Sequence, residues 1–339
     1  MPRLVMRFDL RNIDQSRNAE LYREALEMAE WADRSGFDVV QLAEHHSCAD
    51  GYIPSPITFA GGLAVRTRNV ALRLVLVLPL HDPIRLAEDL ATLDIMSNGR
   101  VVPVLAGGYS PREFEMFGVA LKDRPKLMVE GIETIRKAWT GEPFEYRGRQ
   151  AQVLPRPVQQ PRPPIWMGGS SPAAARRAAE YSDRFYSNDT ALWDIYRARC
   201  QELGRDPGPA PDLGTGFFLV AEDPDREWQR MAPYFAAELQ TYSAIGASTR
   251  QLLGDAIRQD VDESGQESES GLQINLEAIK ALNAYPILNP DEAVAHFRQM
   301  RPFDDLTLNP LISGLPSDIA WEHLRTFERY ILPQVRAAA

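Results

Sequence analysis

Residues 70–83 read Val-Ala-Leu-Arg-Leu-Val-Leu-Val-Leu-Pro-Leu-His-Asp-Pro. Among the first eleven of these only Arg73 is charged. A strand with one wet face alternates apolar and polar residues, whereas a strand covered on both faces is apolar almost continuously, as in parallel sheets. The run ends in Asp82-Pro83, a capping side chain followed by the residue best suited to the first position of a helix. Strand therefore passes directly into helix. Apolar runs at residues 4–10, 37–43, 101–106, 164–167, 184–187, 216–221 and 306–311 read as seven further strands, with amphipathic stretches between them. Eight such units predict a (β/α)8 TIM barrel with insertions, one domain over residues 1–339, in preference to an open sheet.

The first helical stretch shows the pattern. Leu21, Ala25, Met28, Ala29 and Ala32 fall on one stripe, and Gly36 ends it. Ser55-Pro56, Ser171-Pro172 and Asn289-Pro290 repeat the cap-then-proline start of Asp82-Pro83, and Glu292 adds a capping-box residue to the last. Each can be an ordinary cap. In a barrel, however, these starts lie near the strand ends and gather partial positive charge on one rim, where an anion can bind. Two stretches interrupt the alternation. Residues 143–164 are proline-rich and read as an excursion before the fifth strand. Residues 259–271 are acidic and nearly free of apolar side chains, within an insertion expected at about 241–289. That loop is placed to act as a lid, or is a plain surface insertion.

Composition narrows the function. The chain has 339 residues, 44% hydrophobic, and a net charge of -10, so no basic stripe exists for nucleic acid. Its two cysteines are too few for a disulfide framework or a zinc cluster, which reads as a reduced, cytoplasmic chain with no metal site. The first ten residues lack the apolar core of a leader, and the longest apolar run, residues 74–80, is strand-sized, so no membrane association is expected.

Three constellations carry chemistry. Glu44-His45-His46 follows the second strand, where side chains face the top of a barrel, and imidazole suits proton transfer near neutral pH. Adjacent histidines on an extended segment point apart, which argues against a shared metal. Met167, Gly168, Gly169, Ser170 and Ser171 close the fifth strand and open a helix, the chemistry of a phosphate cradle. Ala106, Gly107, Gly108 and Tyr109 close the fourth strand with small residues that let a flat ring approach the backbone. Phe8, Leu10, Tyr109 and Trp193 are candidates to line an apolar or aromatic substrate pocket. Cys48 reads as an ordinary loop thiol, and His81 as a surface residue beside a cap.

The ordered set of stretches resembles the bacterial-luciferase-like flavin monooxygenases across nearly the whole chain. Those stretches are Gly36-Phe37-Asp38 to Ala43-Glu44-His45-His46, Val77 to Arg85, Leu93 to Arg100, Glu113-Phe114 through Phe117-Gly118, Gly168 to Pro172, and Ile331-Leu332-Pro333. The resemblance implies reduced FMN bound at the barrel top, molecular oxygen and a small organic substrate. It also implies a separate flavin reductase and a homodimer paired through the second and third helices. It makes His45, with Glu44, the catalytic group, Ser170 the phosphate-binding serine, and Ala173 a neighbour inside that helix. Leu74-Val75 falls at the family's non-prolyl cis peptide beneath the ring. Three departures stand out. Luciferase has a reactive cysteine where this chain has Ala106, and an arginine where it has Gly107. A second phosphate arginine falls near Pro125, so Arg124 is the preferred substitute. Light emission is therefore not implied. A deazaflavin coenzyme supporting hydride transfer is the alternative, and a non-catalytic flavin-binding protein a third reading.

Overall fold

The computed structural model describes residues 1–12, 15–187, 189–210, 217–244, 257–258, 273–274 and 276–338. The loop expected over residues 259–271 lies outside the described residues. Each apolar run of the sequence forms a strand: β1 (Arg3–Phe8), β2 (Val39–Ala43), β3 (Ala71–Val77) and β4 (Val101–Ala106). The proline-rich excursion holds an antiparallel hairpin, β5 (Phe144–Tyr146) with β6 (Arg149–Ala151). Then come β7 (Trp166–Gly168), β8 (Arg184–Tyr186) and β9 (Leu219–Val220). A second antiparallel pair is β10 (Ile257–Arg258) with β11 (Gln273–Ile274), followed by β12 (Ile287–Leu288) and β13 (Asp305–Leu308).

Seven of the eight expected barrel strands join one parallel sheet in the order β13-β1-β2-β3-β4-β7-β8. The eighth, β9, departs from expectation. It pairs with β12 instead of bridging β8 and β13. Leu219 N–H donates to Pro286 O at 3.1 Å and Ala221 N–H to Leu288 O at 2.9 Å, which fills one edge of β9. The fold is the (β/α)8 TIM-barrel class, and among the described residues no strand pairing closes the sheet between β8 and β13.

The helices α1 (Asn18–Ser35), α2 (Pro56–Arg66), α3 (Pro83–Ser97), α4 (Pro111–Met116), α5 (Arg124–Ala138), α6 (Pro172–Tyr181), α7 (Thr190–Glu202) and α8 (Pro224–Ala244) follow the signals in the sequence. In α1 the buried positions are Leu21, Ala25, Met28, Ala29 and Ala32, joined by Asp33, and Gly36 ends it at φ 86°. Asp82 caps α3 by accepting from Ile84 and Arg85 N–H, Ser171 caps α6 from Ala174 N–H, and Asn289 with Glu292 forms a full capping box. Ser55 differs: its hydroxyl bonds Thr58 instead of the backbone.

Strand alternation sorts the core. Leu72, Leu74 and Leu76 of β3 turn outward to the helices and are fully buried there. Arg73 turns inward, where it donates to Gln41 Oε1 at 3.1 Å and Asp305 Oδ2 at 2.6 Å. Tyr186 adds a hydrogen bond to the same Gln41 oxygen at 2.7 Å. The strand that reads as nearly all apolar thus turns its one charged residue, Arg73, to the inner side beside Val75 and Val77. Beneath it Arg100 ties α2 to β3, donating to Ala64 O, Thr67 O and Val70 O within 3.1 Å.

Candidate active site

The parallel ladder brings the ends of β2, β3, β4 and β7 side by side: Ala43 faces Val75, Val77 faces Ala106, and Ala106 faces Gly168. Three of the expected constellations therefore meet on one rim.

His45 and His46 point apart, as the extended backbone demands. His45 is buried, with Nδ1 2.8 Å from Glu113 Oε1 and Nε2 3.1 Å from the Tyr109 hydroxyl. A carboxylate only accepts, so Nδ1 carries the hydrogen and Nε2 accepts from Tyr109. The ring sits among three tyrosines, with centroids 4.8 Å from Tyr52, 5.5 Å from Tyr109 and 6.3 Å from Tyr242. Burial raises the Tyr109 phenol well above its ordinary value, so it stays a donor. Burial also pushes the Cys48 thiol up to about 11, which keeps it an inert thiol.

Glu113 is the partner that sequence reading missed. Ser110-Pro111-Arg112-Glu113 has the form of a capping box, yet Ser110 makes no side-chain cap and Glu113 turns to the histidines. Its Oε1 also accepts from His46 N–H at 2.9 Å, while Oε2 is buried with no partner among the described residues.

Glu44, expected with His45 as a catalytic group, is buried. It accepts from His46 Nε2 at 2.7 Å, His81 Nε2 at 2.9 Å and Val77 N–H at 2.7 Å. Burial opposes its charge, but the His46 and His81 hydrogen bonds outweigh burial and bring its carboxyl down to about 2. His81, which reads as a surface residue, is thus part of this cluster. Through Val77 N–H, Glu44 ties the strand ends of β2 and β3 together. A depressed carboxyl stabilises the fold fully above its ordinary value of 4.5, and that contribution is lost as pH falls toward about 2. We expect about 3 kcal/mol of stability to disappear over that window. Denaturant titrations from about pH 5 to pH 3 check it: Glu44→Gln should be less stable at pH 5 and nearly flat below it.

At the end of β7, Gly168 lies beside Ala106, and a side chain on Gly169 would come 2.5 Å from Ala174 Cβ. Only glycine lets the chain pass this close to the start of α6. Ser170, Ser171 and Ala173 are exposed there. Gly108 has φ 71°, and a side chain on it would strike Val77 and Phe114 at 2.7 Å. Arg124 Nη1 donates to Gly108 O at 2.8 Å, which places this guanidinium at the same loop.

Several expectations need correction. Leu74 and Met167 turn their side chains outward into the helix-packed core, since Arg73 and Trp166 take the inward positions, so only their backbone is left to meet a ligand. Val75, Ala106 and Gly168 are on the inward register. The cis peptide bonds among the described residues are Leu154–Pro155 and Gln160–Pro161, so Leu74–Val75 is trans. Phe8 and Leu10 are fully buried in the core, and Trp193 lines a separate recess beside Arg184.

The mouth of the barrel is unexpectedly charged. Arg7 donates to the Tyr242 hydroxyl at 2.5 Å and lies 3.8 Å from Asp9 and 3.7 Å from Glu238. Arg11 pairs with Asp50 at 2.8 Å. Arg7 Nε, Asp9 Oδ1 and Asn309 Oδ1 are buried without partners among the described residues.

The sequence profile of the luciferase-like monooxygenases matches residues 5–302. The chain belongs to the luciferase-like monooxygenase family. Among its relatives is the oxygenase component of a flavin-dependent trigonelline monooxygenase from Acinetobacter baylyi, 34% identical over 180 residues, covering 49% of this chain and 50% of that one. The chain spans about half the length of this and the other curated relatives it matches first. An F420-dependent glucose-6-phosphate dehydrogenase from Amycolatopsis mediterranei is 24% identical over 93% of this chain and 95% of its own. The crystal structure of monooxygenase RslO1 from Streptomyces bottropensis superposes with a TM-score of 0.78 at 23% identity, covering 98% and 99% of the two chains. Its relatives thus include a flavin-dependent monooxygenase and an F420-dependent dehydrogenase. No helix among its described residues is long and apolar enough to cross a membrane.

Proposed function

We propose that this luciferase-like protein is a flavin-dependent monooxygenase that uses reduced FMN and molecular oxygen on a small organic substrate. The observation that carries the reading is the His45–Glu113 pair, set beside a glycine–serine cradle on one rim. The residues fit a flavin. Gly107, Gly108 and Gly168 leave the backbone open to a flat ring. Gly169 brings the α6 N-terminus and Ser170 together for a phosphate, with Arg124 as the guanidinium donor. The buried, unpartnered Glu113 Oε2 calls for a donor from whatever occupies the site.

When bound, reduced flavin supplies the electrons that activate oxygen. The chain's own residues do the rest. Glu113 fixes the orientation of the His45 ring through Nδ1. His45 Nε2 takes or gives a proton, with Tyr109 as its neighbouring donor. Tyr52, Tyr109 and Tyr242 provide an aromatic surround that limits water. Reduced flavin is expected from a separate reductase. Titration of the purified apoprotein tests the cofactor. FMN binding with no binding of F420 supports the reading; the reverse overturns it in favour of hydride transfer, which the F420-dependent relative keeps in play. Ser170→Ala is expected to weaken FMN about tenfold and riboflavin little, because only FMN carries the phosphate. Equal losses for both ligands would remove Ser170 from that role.

We also propose a homodimer paired through α2 and α3. These helices pack side by side and expose Val65, Ile95 and Met96, the first at 62%. Val65→Glu with Met96→Glu should shift the mass seen by light scattering from dimer to monomer. An unchanged mass would place the interface elsewhere.

A further inference from the structure

Arg11 follows β1 and is fully buried at the barrel mouth, where it joins three stretches of chain. Its Nε donates to Asp50 Oδ2 at 2.8 Å, on the loop after β2. Its Nη2 reaches the carbonyl oxygens of Ala237 and Glu238 in α8, each at 3.4 Å. Thr241, one turn further along α8, donates from Oγ1 to the same Asp50 Oδ2 at 2.8 Å. The guanidinium carbon lies 5.5 Å from the Tyr52 ring centroid and 5.3 Å from that of Tyr242. Those are two of the three rings around His45, at 4.8 Å and 6.3 Å from its own. The main chain repeats the connection: Ile53 N–H donates to Asp9 O at 3.0 Å, and His45 N–H to Ile53 O at 3.4 Å.

Stability alone is a poor reason for this residue. Arg11 Nη1 is buried with no hydrogen-bond partner among the described residues, and Glu238 Oε1 is 3.9 Å away. A buried guanidinium with an unmade donor is costly, and apolar groups in the same volume are often as stable or more so. What the guanidinium supplies is shape. Its flat face lies against aromatic rings while its forked edge holds a carboxylate and helix carbonyls in one plane. We propose that Arg11 is a positioning residue for the reaction: it sets Tyr52 and Tyr242 against the His45 ring and, being fully buried, touches no ligand itself. Its effect on turnover rests on the flavin monooxygenase reading; the placement of the rings does not. Lysine keeps the charge for Asp50 but has neither the flat face nor the fork.

Imidazole NMR signals of the full chain without flavin test the placement, since the chain has five histidines. The His45 signal is the one lost in His45→Ala. Arg11→Met and Arg11→Lys should both move it. The signals of His323, bonded to Glu227 near the start of α8, and of His296, stacked on Phe218, should stay in place. With FMN and oxygen, both variants should lower kcat by about one to two orders of magnitude, while FMN affinity changes by no more than a few-fold. Thr241→Val cuts the other tie between α8 and Asp50 and should move the His45 signal the same way by less. A lower denaturation midpoint in Arg11→Met, with the His45 signal and kcat at wild-type values, would make Arg11 merely structural and overturn the proposal. Wild-type signal and kcat in Arg11→Lys would reduce its role to charge and overturn it too. Should Arg11→Met fail to fold, an unmoved His45 signal in both Arg11→Lys and Thr241→Val overturns it, as does movement of all the histidine signals together. A moved His45 signal in a protein whose wild type shows no oxygen-dependent turnover would sink the flavin reading and leave the placement standing.

Discussion

His45→Ala is expected to lower kcat by about two to four orders of magnitude, the range for loss of a positioned proton-transfer group. Flavin affinity should change by no more than a few-fold, because His45 spends its hydrogen bonds on Glu113 and Tyr109 and none on the glycine–serine cradle. Glu113→Gln separates positioning from chemistry. The amide oxygen still accepts from Nδ1–H, so the ring stays oriented, but the charge that stabilises a protonated ring is gone. We expect a smaller loss of kcat, about tenfold. Steady-state turnover with oxygen uptake measures both variants. A kcat unchanged in His45→Ala would leave a flavin-binding protein without this catalytic residue.

Asp305→Ala is expected to be the most destabilising single change discussed here, by about 3–5 kcal/mol, the range for breaking a buried ion pair. Asp305 is 3% exposed and Arg73 1% exposed, so neither partner can turn to water. Removing the carboxylate leaves Arg73 and Arg3 facing each other around Trp166 with no counter-charge. The loss belongs mostly to the stranded cation, not to any large net gain from the pair. Adding Arg73→Met to Asp305→Ala should therefore recover at least half of it, since a buried pair replaced by apolar groups is often close to neutral. Guanidinium midpoints of the two variants decide the matter. A double variant less stable than the single one would show that Arg73 contributes mainly through its Trp166 and Tyr186 contacts.

Much of the fold is legible from local pattern. The α1 stripe, the Gly36 stop and the caps at Asp82, Ser171 and Asn289 follow from short-range rules that tertiary context does not override. So do the strands, because apolar runs of that length have few other uses. Which way a strand's side chains point is harder. An almost unbroken apolar run hides its phase, so Leu74 was expected at the site, although the inward Arg73 beside it sets the opposite face. Met167 follows the same logic beside Trp166. The pairing of β9 with β12 depends on residues nearly seventy positions apart, which no local signal encodes. In the candidate site, His45, Tyr109, Ser170 and the glycines are recognisable by type and position. Glu113, Arg7, Asp9 and Glu238 are not, since a charged residue near a helix start or within a helix ordinarily reads as a solvated one.

The sheet's two outermost strands, β8 and β13, have three and four residues. A free edge becomes hazardous when it is long enough for another chain to zip onto its open amides and carbonyls. Edges this brief offer an intruding strand too few rungs to hold. Among the described residues, the flanks of β8 and β13 are therefore poor templates for a second chain.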